Sequence, residues 1–141
     1  MFENNNQIIF MIYQLKKNLR RKVNSAIGDE DITYEQFEVL NCIKEGEGMK
    51  QKDISRKLDK DPATLTKMLS TLEKKKYVVR GMSDKDRRVS NVYITDKGIQ
   101  KVNDITDIVE VLNDLVMEEF TTKNKTLFKE MVYKMNQSLA S

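Results

Sequence analysis

No histidine occurs anywhere in this sequence. That absence removes His-based catalytic triads, the commonest general base and most zinc sites. A single cysteine, Cys42, excludes an intramolecular disulfide and a cysteine-rich metal centre. An enzyme would have to work with carboxylates or lysine alone, and no carboxylate pair sits in a recognisable context. The expectation is therefore a protein that is not an enzyme and holds no metal or cofactor. One proline and five glycines, beside 33% charged residues, exclude collagen-like, low-complexity and disordered chains. No apolar run is long enough to span a bilayer. The first residues, Met1 to Gln7, carry an acid and amides where a signal peptide would be basic. A cytoplasmic protein that avoids the membrane is expected.

What is present is helical periodicity over most of 141 residues, one domain's worth of chain. From about Asn5 to Ile27, residues Ile8, Ile12, Leu15, Leu19, Val23 and Ile27 form an apolar stripe along a helix of about 35 Å. It stops near Gly28, before the acidic turn Asp29-Glu30-Asp31. Thr33 reads as an N-cap with Gln36 completing a capping box. The helix that follows turns Phe37, Leu40 and Ile43 inward and ends at the glycines Gly46 and Gly48. Two shorter helices come next. Gln51–Leu58 is separated by Asp59-Lys60-Asp61 from a helix that opens with Asp61-Pro62, an N-cap carboxylate and a proline at the first helical position. That helix runs to about Lys75 with Leu65, Met68, Leu69 and Leu72 inward. Ala63, Thr64, Thr66, Lys67, Ser70, Thr71 and Lys74 lie outward or at the margins.

The period then changes from 3.6 to 2. Tyr77–Arg80 and Val89–Thr95 are rich in β-branched and aromatic residues and flank the charged run Ser83–Arg88, the pattern of a hairpin. A lone hairpin is marginal in water, so it must pack on the helices. A further helix from Thr95 carries a stripe from Val102 to Phe120. After a break at Thr121–Asn124, a last helix carries Leu127, Phe128, Met131, Val132, Met135 and Leu139.

Charge is unevenly placed. Residues 49–98 hold 14 Lys/Arg against 7 Asp/Glu, a net of +7, whereas the rest hold 11 against 15, a net of −4. A basic centre between acidic ends points to a polyanion on one face. Two short helices joined by a tight turn and followed by a charged hairpin form a winged helix-turn-helix. A major groove about 12 Å wide admits one helix, and the first helix of the pair braces the second against the DNA backbone. Small polar residues at the start of the Asp61-Pro62 helix allow close approach, and Lys67 reaches a phosphate or guanine edge. Arg87 and Arg88 at the hairpin tip suit a narrow minor groove. Asp86 can hold an Arg guanidinium in place.

These residues resemble the MarR family of bacterial transcription regulators. The resemblance rests on Gln36-Phe37-x-Val39-Leu40, Asp61-Pro62-Ala63-Thr64-Leu65-Thr66-Lys67, Leu72-Glu73-Lys74-Lys75, Asp84-x-Asp86-Arg87-Arg88 and Ile94-Thr95-Asp96-Lys97-Gly98. Each is weak alone; all five, in order and at family spacing, are specific, and with the flanking helices they cover nearly the whole chain. The fold implied is mainly α with a small β-hairpin wing, a winged helix-turn-helix over residues 30–98. Residues 5–27 and 99–140 form the helical dimerisation part of one MarR-like domain spanning 1–141. The function implied is a sequence-specific, double-stranded-DNA-binding transcription regulator, a ligand-responsive repressor. It would bind a pseudo-palindromic operator as a homodimer with interleaved first and last helices. Ala63, Thr64, Thr66 and Lys67 match the family's groove-reading positions, with Ser70, Thr71 and Lys74 further along the same face. Arg88 matches the wing-tip arginine, beside Arg87, and Asp86 its anchoring acid. The family also admits a small aromatic or anionic effector, which no residue set here selects.

Two departures stand out. The family's Gly-Leu after the Leu-Glu-x-x run is Lys76-Tyr77, so either Lys76 accepts a left-handed C-cap, at a cost of roughly 1 kcal/mol against glycine, or the helix ends differently. The usual Ser/Thr cap before the first helix of the pair is Lys50. Dimerisation also follows from the residues themselves, because three long amphipathic helices carry more apolar surface than one small winged helix can cover; an intramolecular bundle is the alternative. Cys42 lies in the second helix and suits a structural, semi-buried role better than a redox one. Two other functions compete: a winged helix used for protein contact, and a constitutive DNA-binding protein without an effector.

Overall fold

A computed structural model describes residues 7–82 and 90–140. In chain order the elements are α1 (Ile8–Ala26), α2 (Tyr34–Asn41), β1 (Met49–Lys50), α3 (Gln51–Lys57), α4 (Pro62–Lys74), β2 (Val78–Met82), β3 (Ser90–Ile94), α5 (Asp96–Val116) and α6 (Thr122–Leu139), with a 3-10 turn at Gly28–Glu30 between α1 and α2. This is the expected mainly helical architecture with a small antiparallel sheet. Two compact units emerge, residues 1–108 and 109–141, with α5 continuous through the boundary.

In the first unit, α1 buries none of its side chains; Ile8, Ile12, Leu15 and Leu19 are all exposed. The amphipathic stripe is present, and among the described residues of this unit it stays open over these four positions. Only Ile27, just past the helix, is buried. The turn out of α1 uses Asp31, not Gly28, as its left-handed residue, at φ 68°. The capping box at α2 forms as expected. The Gln36 N–H donates to Thr33 Oγ1 at 3.2 Å, and the Thr33 N–H donates to Gln36 Oε1 at 3.0 Å. Asn24 Oδ1 in α1 also accepts from the Tyr34 N–H at 2.9 Å, which ties α1 to the first turn of α2.

The core is built by Phe37, Val39, Leu40 and Ile43 together with Ile54, the α4 trio Leu65, Leu69 and Leu72, the sheet residues Val78 and Val92, and Tyr77 and Ile105. Each fully buried aliphatic side chain contributes about 1.5–3 kcal/mol relative to exposure. Met68, expected inward, is only half-buried.

The sheet has order β1-β3-β2. In the β2–β3 hairpin, Val78 pairs with Ile94, Val79 with Tyr93 and Arg80 with Val92. Period-2 alternation therefore sends Val78 and Val92 into the core and leaves Val79 and Tyr93 exposed. β1 is a two-residue strand, Met49 opposite Val92 and Lys50 opposite Asn91, which the sequence pattern did not reveal. Gly48, at φ 66°, lets the chain enter it, and a Cβ there would fall 2.5 Å from Tyr93 Cε1.

In the second unit, the end of α5 leads through Thr121 into α6. Thr121 Oγ1 caps α6 by accepting from the Asn124 N–H at 3.1 Å. Leu112 is buried, whereas Leu115, Val116, Phe120, Leu127, Phe128, Met131, Val132, Met135 and Leu139 are exposed.

Candidate nucleic-acid interface

Local chemistry sets α3 and α4. α3 has no side-chain cap, because Lys50 stands at its N-cap. Its end is closed by Asp59 in the left-handed conformation at φ 49°: the Lys60 N–H reaches Ser55 O at 3.0 Å, the Asp59 N–H reaches Arg56 O, and Ser55 Oγ donates to Lys60 O at 2.6 Å. This is a Schellman closure made without glycine. α4 starts as Asp61-Pro62 predicts, with Asp61 Oδ2 accepting from the Thr64 N–H at 3.1 Å.

α4 ends at a second Schellman closure. The Tyr77 N–H donates to Leu72 O and the Lys76 N–H to Glu73 O, both at 2.9 Å, with Lys76 at φ 66°. The lysine in the family's glycine position thus adopts the glycine's conformation, and Tyr77 and Leu72, at the positions of the motif's apolar pair, are both buried.

The outward face of α4 carries the expected positions. Ala63, Thr64, Thr66, Lys67 and Lys74 are exposed; Ser70 and Thr71 are half-buried. The hydroxyls are already engaged. Thr66 Oγ1 donates to Pro62 O at 2.9 Å and accepts from Gln51 Nε2 at 2.8 Å. Thr71 Oγ1 donates to Lys67 O at 3.2 Å, and Thr64 Oγ1 makes a long contact of 3.4 Å to Asp61 Oδ2. Ser70 Oγ accepts from Arg80 Nη2 at 3.1 Å. Ser70 is therefore part of the joint between α4 and the hairpin. Asp86, Arg87 and Arg88 lie outside the described residues.

Arg80, which carries no signal in the sequence pattern, fastens the hairpin to α4. Its N–H donates to Glu73 Oε2 at 3.1 Å and its Nη2 to Glu73 Oε1 at 3.2 Å. The hydrogen bond from the Arg80 side chain holds the Glu73 carboxyl below its ordinary pKa, with burial opposing. Two further ties anchor the far end of α4. Lys75 Nζ pairs with Asp31 Oδ1 at 3.2 Å, and Lys97 Nζ donates to Lys75 O at 2.8 Å. Close by, Lys101 pairs with Glu30 at 3.0 Å and stands 5.7 Å from the Tyr77 ring centroid. Burial alone would lower the Lys101 pKa, but the hydrogen bond to Glu30 and the surrounding negative potential raise it.

Beside α4, an open cleft of about 500 Å³ is lined by Lys50, Gln51, Lys52, Ser55, Arg56, Pro62, Leu65 and Ser90. It lies between α3, the start of α4 and the base of the hairpin. Its three cations were absent from the sequence-derived site. The signal was there, since Lys50, Lys52 and Arg56 surround one short helix. Cys42 is half-buried, and its Sγ donates to Val39 O at 3.1 Å. Burial pushes its thiol pKa up, the opposite of what a reactive thiolate needs. Among the described residues no cluster could hold a metal, and no helix is long and apolar enough to cross a membrane.

Comparison with known proteins is consistent with this geometry. Residues 32–90 match the model of the MarR family. The HTH-type transcriptional regulator SarZ of Staphylococcus haemolyticus is 32% identical over 115 residues, covering 82% of this chain and 76% of that protein. Among solved structures, the Staphylococcus aureus MepR–DNA complex superposes with a TM-score of 0.83 at 25% identity, covering 94% of this chain and 98% of that one. A MarR-family regulator from a Rhodococcus species reaches a TM-score of 0.85 over 99% of both chains, at 17% identity.

Proposed function

The chain belongs to the MarR family of transcriptional regulators, not to a family of enzymes, and from that premise we propose that it binds operator DNA as a homodimer. α4 enters the major groove by the face that carries Ala63, Thr64, Thr66, Lys67, Thr71 and Lys74. Lys50, Lys52 and Arg56 meet phosphates of the strand that runs between that groove and the hairpin. Arg87 and Arg88 reach the neighbouring minor groove, with Asp86 as their anchor. The observation that carries this reading is the exposed start of α4, capped by Asp61 and flanked by cations, on a helix whose opposite face is sealed into the core by Leu65, Leu69 and Leu72.

The dimer is supported by apolar side chains left open in both units. They include Ile8, Phe10, Ile12 and Leu15 on α1, and Phe128, Met131, Val132 and Leu139 on α6. A second copy that covers them makes residues 5–27 and 99–140 the dimerisation part of a single MarR-like domain. Two α4 helices then address half-sites about one helical turn apart, which favours a pseudo-palindrome. We further propose that the protein is a cytoplasmic repressor whose DNA affinity is lowered by a small aromatic or anionic ligand.

Selection of bound duplexes from a random pool tests this reading. A pseudo-palindrome that recurs upstream of the protein's own operon is the expected result. Recovery of no sequence above background would refute it. Arg88→Ala should weaken binding to the selected site, and an unchanged affinity would remove the hairpin tip from the interface.

A further inference from the structure

The groove-facing half of α4 lacks the usual equipment for reading bases by hydrogen bonds. Pro62–Lys74 contains no arginine, asparagine or glutamine, so of the side chains that read guanine or adenine edges in bidentate fashion only lysine is present. Its one acid, Glu73, which could accept from cytosine, is held by Arg80. The hydroxyl hydrogens are turned inward: Thr66 bonds back to Pro62 O, Thr71 to Lys67 O, and Thr64 leans on Asp61. Thr66 Oγ1 is further occupied by Gln51 Nε2, which also uses the amide of the nearest glutamine. Lys67 and Lys74 are exposed, but an ammonium on a flexible stem is a point charge that favours phosphate or any guanine without fixing a register.

Ala63, Thr64 and Thr66 are exposed at the start of α4, and with their hydroxyls bonded within the chain the two threonines, like Ala63, have a methyl left to offer. The major groove has one apolar feature, the C5-methyl of thymine, and alanine and threonine methyls are its natural contacts. Resting on the DNA-binding reading above, we propose that this face recognises thymine methyl groups. The preferred half-site then carries A·T pairs with the thymine methyls against Ala63, Thr64 and Thr66, and the threonine hydroxyls serve the helix, not the bases. The ligand class is DNA with a methyl-lined major groove, not a guanine-rich site.

The experiment uses the full chain and a duplex selected from a random pool, resynthesised with deoxyuridine in place of thymidine in the half-sites. That change removes only the C5-methyl and leaves base pairing and the minor groove intact. Affinity should fall about three- to fourfold per methyl removed, from the transfer free energy of one methyl group. The loss for two methyls in each of two half-sites should be on the order of a hundredfold. Two variants separate the methyl from the hydroxyl. Thr66→Val, which keeps a methyl and loses the hydroxyl, should retain the sensitivity to deoxyuridine at the facing position. Thr66→Ser, which removes one methyl contact in each of the two half-sites, should lose about tenfold on thymine and become indifferent to deoxyuridine at the facing position. Equal affinity for thymine and uracil duplexes, or a selected half-site dominated by G·C pairs, would overturn the proposal while leaving DNA binding intact. Absence of binding to any thymine-containing duplex would overturn the DNA-binding reading itself.

Discussion

Lys76 stands at φ 66°, where an L-residue pays roughly 1–2 kcal/mol over the right-handed conformation. The surrounding bonds demand this conformation. Tyr77 N–H to Leu72 O and Lys76 N–H to Glu73 O close α4, and Thr95 Oγ1 donates to Lys76 O at 2.7 Å. The Lys76 side chain is exposed and no hydrogen bond or ion pair of it is found among the described residues. Replacing it with glycine therefore relieves the strain and removes no side-chain bond found among the described residues, while the freer unfolded chain takes back about 0.4–1 kcal/mol. Lys76→Gly should stabilise the fold by a net of about 0.5–1 kcal/mol, a rise in Tm of about 2–5 °C for a chain of this size. Lys76→Ala is the control: alanine has the same Cβ and should leave Tm within about 1 °C, because the penalty resides in the Cβ and not the charge. Thermal unfolding should be followed at one fixed protein concentration, since dimerisation makes Tm concentration-dependent. If alanine stabilised as much as glycine, charge repulsion among Lys74, Lys75 and Lys76 would explain the effect and the strain argument would fail.

Two further predictions concern the scaffold behind the interface. Gly98→Ala places a Cβ 2.3 Å from Tyr77 O and 2.7 Å from Ile94 Cγ1, against backbone that cannot yield, so a loss of about 2 kcal/mol or more is expected in chemical denaturation. Wild-type stability there would mean that α5 can slide away from the hairpin. The Glu73 pKa lies below its ordinary value in the folded chain, so its contribution is present above the carboxylate range and is lost as pH falls through and below it. Glu73→Gln should thus be less stable than wild type at pH 7, and the gap should close on acidification; a constant gap down to pH 3 would show that the Arg80 pair is not its source.

Much of this fold was legible because its signals are local. Thr33 with Gln36, and Asp61 with Pro62, announce helix starts within four residues, and both formed as read. The motif register marked Lys76 as a left-handed position or a changed helix end, and the structure takes the first. The parts that were not legible depend on partners far apart in sequence. β1 is two residues long and exists only because Met49 and Lys50 meet Val92 and Asn91. Arg80 reads as an ordinary polar strand residue until the hairpin folds back and meets Glu73 and Ser70. The pairs Lys75–Asp31 and Lys101–Glu30 join residues 44 and 71 positions apart. The outward face of α4 could be named from periodicity, but not the engagement of its hydroxyls, which follows from rotamers. On α1 and α6 periodicity gave the apolar stripe and was silent on what covers it.

The central claim, that this winged helix binds DNA through a phosphate-facing cationic surface, is tested most directly by the salt dependence of its affinity for the selected duplex, measured by fluorescence anisotropy. On the proposed reading, Lys50, Lys52, Arg56, Lys67 and Lys74 from each of two copies would place up to ten cations against phosphates. With about six to ten phosphates neutralised, affinity should drop by roughly 10³–10⁵ between 50 and 200 mM salt. Lys52→Gln with Arg56→Gln should flatten the slope by about one for each phosphate left without its cation. An affinity that stays level across that range would contradict the account.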